Sequence, residues 1–433
     1  MRKFVGVNRI KLRRYQFWTL LALGVVPLLL IFNWPNARDS AVYANAFSDL
    51  INGDNPYSGE VFRSGLLGSL PFYLVSLAFP QSLEGLVFLI LGILGTLYFA
   101  RLFIGRENRI SDLFVLLIVL WSSSSREGLN TIQITGILLA LNTVVIQAAK
   151  QNEAVKFSTT KIFFGSLAAA ISIDLKPHLV IPLYILLLHR YRKWRMLSWS
   201  LTLWLTGHLI IDITFEKLWT ITWLESMISL ASRPTTTNRG DFVNIWSLVA
   251  TLFGDSPILK SLPYLVVALL LLVILRKNIE NMATLVFLGI SLSLLMTYTH
   301  YYDYVPIVAL SMIQVLSARI NAVHYCYLGL IMLSQNMNNV TGLVLVMGSM
   351  LGLMFMQLTN GQIYSLISEI RRVCVGFIGF IFLHFVMSQL EKLEFDKSAI
   401  SATIVLGISF IVFFSIGLKW ARLKQKIARR TDY

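Results

Sequence analysis

Ionisable side chains are rare and costly in an apolar chain, so the places where they gather are where chemistry is to be sought. The first is a polar stretch from Pro35 to Glu60 that carries Asp39 and Asp54. The second is Asp174-Leu175-Lys176-Pro177-His178, which interrupts an apolar run that begins at Ile162. The third is Thr297 to Tyr304, a tight joint between two apolar runs, with His300 and Asp303 among tyrosines. A fourth, Ser122-Ser123-Ser124-Ser125-Arg126-Glu127, ends an apolar run too short to cross a bilayer. An ionised carboxylate can take the proton of an attacking hydroxyl, and a lysine or histidine can steady a departing phosphate. One acid on a loop, a Lys-Pro-His at a helix break and a second histidine therefore suit sugar transfer from an amphiphilic phosphate held at a membrane surface.

Each of these residues also has an ordinary use. Asp39 at the start of a helix is a good N-cap, worth about 1 kcal/mol. Asp174 and Lys176 can neutralise each other, with Pro177 only starting the next helix. A histidine in a joint can be a solvated loop residue, and Arg233 and Arg239 can be exposed loop charges. Residue types and spacing leave both readings open.

The elements that must carry these groups are membrane helices. Of 433 residues, 56% are hydrophobic and 14% charged, and the mean hydropathy is +0.69, values out of reach for a soluble domain with a hydrated surface. Apolar runs start near Gln16, Gly85, Asp112, Gln133, Ile162, Leu179, Met196, Leu262, Met282, Tyr304, Tyr325, Val340, Val373 and Ala399. They predict an all-α polytopic integral membrane protein with about 12 to 14 transmembrane helices in a single transmembrane domain over residues 1–433. Residues 1–15 and 419–433 are expected to be basic and cytoplasmic, with long outer loops at 35–84 and 215–261. Alternating sides from a cytoplasmic N-terminus puts most of the 37 Lys and Arg inside and most of the 22 Asp and Glu outside. The net charge of +15 is then largely the positive-inside bias, and nucleic acid is not the expected partner. The first apolar run reads as a retained span because no small-residue cleavage site follows it before Asn36.

Within the first outer loop, Val42, Ala46, Phe47, Leu50 and Ile51 recur at helical spacing and predict a helix in the interface, with Asp39 at its start and Gly53-Asp54-Asn55-Pro56 ending it. The apolar spacing from Leu218 to Ala231 predicts a second interfacial helix. Cys326 and Cys374 cannot supply a disulfide framework or a zinc cluster. Phosphate-loop, dinucleotide, zincin and serine-hydrolase signatures are absent from the sequence.

Arg38-Asp39-Ser40 to Tyr43, followed by Gly53-Asp54-Asn55-Pro56-Tyr57, resembles the first outer loop of GT-C superfamily membrane glycosyltransferases, specifically family 87, the polyprenol-phosphate-mannose-dependent mannosyltransferases. Leu175-Lys176-Pro177-His178, with Arg190-Tyr191-Arg192-Lys193-Trp194 closing the next span, is similar to that family's Lys-Pro element and basic helix end. Thr299-His300-Tyr301 resembles its late histidine joint. Gln133-Ile134-Thr135-Gly136 and Asn142 stand where the family has a Gly-Gln-x-Asn element, and the Ser-Pro before the late histidine is absent. The resemblance implies a GT-C bundle with interfacial helices in the first outer loop, a polyprenyl-phosphate-linked hexose donor, a lipid or glycan acceptor, transfer with inversion at the outer face of the plasma membrane, and no cofactor. It implies Asp39 as general base and Lys176 and His300 at the donor phosphate, with Arg63, Arg126 and Arg233 as further phosphate contacts. Asp54, Tyr57, His178 and Tyr43 fall to substrate binding, Asp54 also being the alternative base. The rival expectations are a flippase of lipid-linked sugars, needing the cavity but no base, and a polysaccharide polymerase or ligase relying on outer arginines.

Overall fold

The computed structural model describes residues 12–31, 38–58, 64–104, 110–121, 128–129, 133–150, 158–232, 257–277, 279, 281–296 and 300–317. The spans expected from Tyr325, Val340, Val373 and Ala399 and the basic tail lie outside them. Among the described residues the architecture is all-α, without a strand. In chain order the helices are α1 (Arg14–Ile31), α2 (Arg38–Ile51), α3 (Leu66–Ala78), α4 (Gln81–Phe103), α5 (Ile110–Trp121), α6 (Thr135–Lys150), α7 (Ser158–Leu175), α8 (Pro177–Arg190), α9 (Trp194–Thr214), α10 (Trp219–Ser232), α11 (Pro257–Leu275), α12 (Met282–Leu294) and α13 (Val305–Ser317). A 3-10 turn, Tyr301–Tyr304, leads into α13.

The ten apolar runs expected up to Tyr304 each correspond to one of these helices. α2 and α10 also form where the apolar spacing put them. Gly53 ends the α2 region at φ 83°, a backbone conformation that costs glycine no Cβ clash. α3 is an addition: 13 residues with Pro71 inside, too short to cross the bilayer, and packed along α2.

The chain is an integral membrane protein, and its surface shows it. The segments Leu83–Phe103 and Trp194–Thr214, 21 residues each, are long and apolar enough to cross a bilayer. On α9, Leu201, Leu205, Leu209 and Ile213 form an exposed stripe at four-residue spacing, and Leu265, Leu269 and Val273 do the same on α11. Lipid tails cover such stripes; water would not.

The interior joins α1, α4 to α8, α12 and α13 through one apolar cluster that includes Phe17, Phe99, Val119, Leu183, Phe287 and Ile307. α4 and α6 cross with their backbones close together. A Cβ on Gly136 would meet the backbone carbonyl of Gly92, and one on Gly95 would meet that of Gly136. Small residues let the two backbones approach, as at other membrane helix interfaces. Gly136→Val should therefore lower thermal stability in detergent by about 1–3 kcal/mol, as overpacking does, while Leu91→Val on the exposed side of α4 should change it little. A second cluster, Ala46, Phe47, Leu50, Tyr57, Leu66, Ile211, Trp219 and Trp223, fastens α2 and α10 to the end of α9. α2, α3 and α10 thus pack as one body against the end of α9.

Candidate functional site

The break between α7 and α8 organises the site. Lys176 precedes a proline, which disfavours helical backbone at that position, and it sits at φ −148°, ψ 76°. Pro177 then opens α8 as its first residue, where a missing N–H costs nothing. Asp174 and Lys176, two positions apart, do not face each other. They take different partners, so the mutual neutralisation allowed by their spacing does not occur.

Asp174, in the last turn of α7, is fully buried and faces the start of α3. Its Oδ2 accepts the backbone N–H of Gly68 at 2.6 Å, and its Oδ1 accepts Trp204 Nε1–H at 3.0 Å and lies 2.5 Å from His208 Nε2. The other ring nitrogen of His208 is 3.1 Å from Thr220 Oγ1, which ties the α10 start into the same node. The backbone carbonyl of Asp174 accepts Gly65 N–H at 2.8 Å. Gly65 has no room for a side chain, since a Cβ there would run into the Asp174 carboxylate.

One residue on, Ser64 Oγ donates to Leu175 O at 2.6 Å and lies 3.3 Å from the Tyr43 hydroxyl, while Tyr57 O–H donates to Ser64 O at 3.3 Å. Tyr43 stacks on Phe72 and Phe72 on Phe88, with 4.9 Å between centroids in each pair. Burial, followed by the nearby Asp174 and Asp212 carboxylates, pushes the Tyr57 phenol well above 10.0, so it stays a donor at any physiological pH. The loop that carries α2 is in this way pinned to the helix break.

Lys176 takes a different partner, in the turn that leads into α13. Its Nζ lies 2.9 Å from Asp303 Oδ1, with the two side chains 7% and 0% exposed. Thr135 Oγ1 donates to the same oxygen at 3.2 Å, and the backbone N–H of His300 donates to Oδ2 at 2.9 Å. Burial alone would raise the Asp303 carboxyl, but the Lys176 ammonium, His300 and its backbone N–H, and His178 outweigh it and hold it below 3.8. A depressed carboxylate contributes stability that is fully present above its unfolded value and lost as pH falls through the folded one. At neutral pH Asp303 is therefore a carboxylate. His178, on the first turn of α8, lies within electrostatic reach of Lys176, Asp303 and His300.

Three sequence-expected residues, Lys176, His178 and His300, thus converge on one acid, Asp303. Tyr43 and Tyr57 converge instead on Ser64, next to the break. Asp54 is exposed in the turn after α2, where its N–H donates to Asp49 O at 2.8 Å. Asp39 belongs to the first turn of α2, four residues before Tyr43; its side chain, and all of Arg63, Arg126 and Arg233, lie outside the described residues. Sequence reasoning missed His208, Trp204, Thr135 and Ser64 as partners. Only His208 carried a signal, an ionisable residue well inside the span Trp194–Thr214, away from the charges at its two ends.

No family model and no curated protein matches the chain. Two solved structures resemble it, those of ArnT from Cupriavidus metallidurans bound to undecaprenyl phosphate and in the apo state. Both are 12% identical, cover 91% of this chain and 78% of theirs, and have TM-scores of 0.46 and 0.41. At TM-scores below 0.5 the likeness assigns neither an activity nor a site residue to this chain.

Proposed function

We propose that the chain is a GT-C-type membrane glycosyltransferase that moves a hexose, mannose by the family 87 resemblance, from a polyprenyl-phosphate carrier to a lipid or glycan acceptor at the outer face of the membrane. The observation that carries the reading is the pinning of the α2 loop to the α7–α8 break through Ser64. It fixes the segment that bears Asp39 relative to the segment that bears Lys176, and a transferase needs its base and its phosphate cation in a fixed relation.

In this reading Asp39 accepts the proton of the acceptor hydroxyl while that oxygen attacks the anomeric carbon, with inversion. The bond from that carbon to the phosphate oxygen breaks, and its electron pair leaves with the polyprenyl phosphate. Lys176 and His300 stabilise the charge that develops there, in a site where low dielectric strengthens the interaction. Arg63, Arg126 and Arg233 are the remaining phosphate contacts of the proposal, and Asp54, Tyr57, His178 and Tyr43 its substrate contacts. Both termini are cytoplasmic in this scheme. A cysteine placed at Ser58 should then label with an impermeant thiol reagent from outside and one at Ser158 should not; the reverse pattern would put the site on the wrong side.

Undecaprenyl phosphate is the probe that tests the phosphate assignment. In a structure of the full chain with that lipid bound, the head group is expected within hydrogen-bond distance of Lys176 Nζ and His300. A head group bound away from both would remove this assignment.

A further inference from the structure

We propose that the end of α7 and α9 away from Asp174 is a binding surface for an anionic glycerophospholipid. Ser166 Oγ, two turns into α7, donates to Met196 O in the first turn of α9 at 3.2 Å, and Asp174 near the other end of α7 lies against His208 of α9. The two helices therefore run parallel and start side by side. Lys161 is in the first turn of α7, Arg195 in the first turn of α9 and Arg192 in the turn before it, and all three are exposed. They have no ion pair among the described residues, and neither helix has an acid in its first turn. Next to them α8 closes on the start of α12, where Tyr191 O–H donates to Met282 Sδ at 3.7 Å, a short way past the exposed Arg276 and Lys277.

The acids Asp174 and Asp212 lie toward the other ends of α7 and α9. From Lys161 to Asp174 the helix rises about 20 Å, beyond a Debye length at physiological salt, so these carboxylates do not cancel the basic surface. Charge alone would suit any anion, and the apolar surface beside it selects a lipid. Trp194 and Trp199 are 55% and 44% exposed, aromatic residues of the kind that sit at headgroup level, and the exposed Leu201 and Leu205 continue from them along α9. A glycerophospholipid with one net negative charge can place its phosphate among Lys161, Arg192 and Arg195 and an acyl chain along that stripe. A zwitterionic lipid brings its own cation into the same cluster and gains less. In the proposed topology this end meets the cytoplasmic leaflet, where each basic residue near the surface strengthens attraction to anionic lipid by about fivefold. None of these residues touches substrate in the proposed transfer, so the surface stands or falls apart from that reading.

The test titrates the purified full chain, delipidated in an uncharged detergent, with phosphatidylglycerol or with phosphatidylcholine of the same acyl chains, and counts bound lipid by native mass spectrometry. Wild type should prefer phosphatidylglycerol by about tenfold or more at low ionic strength, and the preference should shrink at high ionic strength because exposed charges are screened. Lys161→Gln with Arg195→Gln, which removes two exposed cations and leaves the core untouched, should lose most of that preference. Lys217→Gln, an exposed cation just past the other end of α9, should keep it. Equal binding of the two lipids by wild type overturns the proposal without need of a variant. A preference that survives in the double variant, or that falls as far in Lys217→Gln, overturns the assignment to this surface. Displacement of phosphatidylglycerol by excess inorganic phosphate at matched ionic strength overturns it too, because the surface would then hold a free anion and not a lipid.

Discussion

Asp39→Asn is expected to yield a folded protein that binds the lipid-linked donor normally and transfers sugar about 10² to 10⁴ times more slowly, the usual cost of losing a general base. The two uses of Asp39 predict different outcomes. As an acid in the first turn of α2, one residue inside the helix rather than at its N-cap, it contributes only about 0.3–1 kcal/mol through the helix dipole, so asparagine replaces it at small cost. As a base it cannot, because the amide does not take a proton. The anchoring of α2 through Tyr43 and Ser64 one turn away, and through Ala46, Phe47 and Leu50 in the cluster with Trp219 and Trp223, should keep the helix in place in the variant. Single-turnover transfer with pre-bound donor, beside a thermal melt, separates the two. Near-wild-type transfer by purified Asp39→Asn would leave Asp39 only this helix role and move the base to Asp54.

Lys176→Met should have the second large effect, on stability and on donor binding at once. It leaves the Asp303 carboxylate buried without its ammonium, and breaking one side of a buried pair costs about 3–5 kcal/mol. The paired change Lys176→Met with Asp303→Leu should recover most of that stability, since an apolar pair of similar size is tolerated in place of a buried ion pair. Donor binding should stay lost in both. The deficit of the single variant should also shrink as pH falls, because Asp303 without Lys176 protonates more readily and a neutral acid needs no counter-charge. Melting temperatures of the three proteins between pH 4 and pH 8 check this. A single variant as stable as wild type at pH 8 would show that Thr135 and the His300 backbone N–H suffice to hold the carboxylate.

The helices were readable because hydrophobic runs and their polar joints are local facts. The spacing of Val42, Ala46, Phe47, Leu50 and Ile51 gives α2, and the Lys-Pro step gives the break at Lys176. α3 escaped because a 13-residue apolar run with an internal proline reads as part of a loop, and only its packing along α2 makes it a helix of the core. Partner choice escaped more completely. Asp174 takes His208, 34 positions away, and Lys176 takes Asp303, 127 positions away. Nothing in the local sequence selects those partners over the neutralisation of two charges near each other. That the two point apart follows from their separation of two positions, but which element each meets is decided by how α7, α8, α9 and α12 stack.

The central claim is that sugar leaves its lipid carrier at this site, and one measurement addresses it directly. The full chain is reconstituted into sealed liposomes containing a polyprenyl-phosphate hexose labelled in the sugar, with a lipid or glycan acceptor supplied. The account predicts that the label moves to the acceptor, that unlabelled polyprenyl phosphate accumulates in step, and that Asp39→Asn stops both. Label that crosses the bilayer still joined to its carrier, equally in wild type and Asp39→Asn, would contradict it and make the chain a flippase.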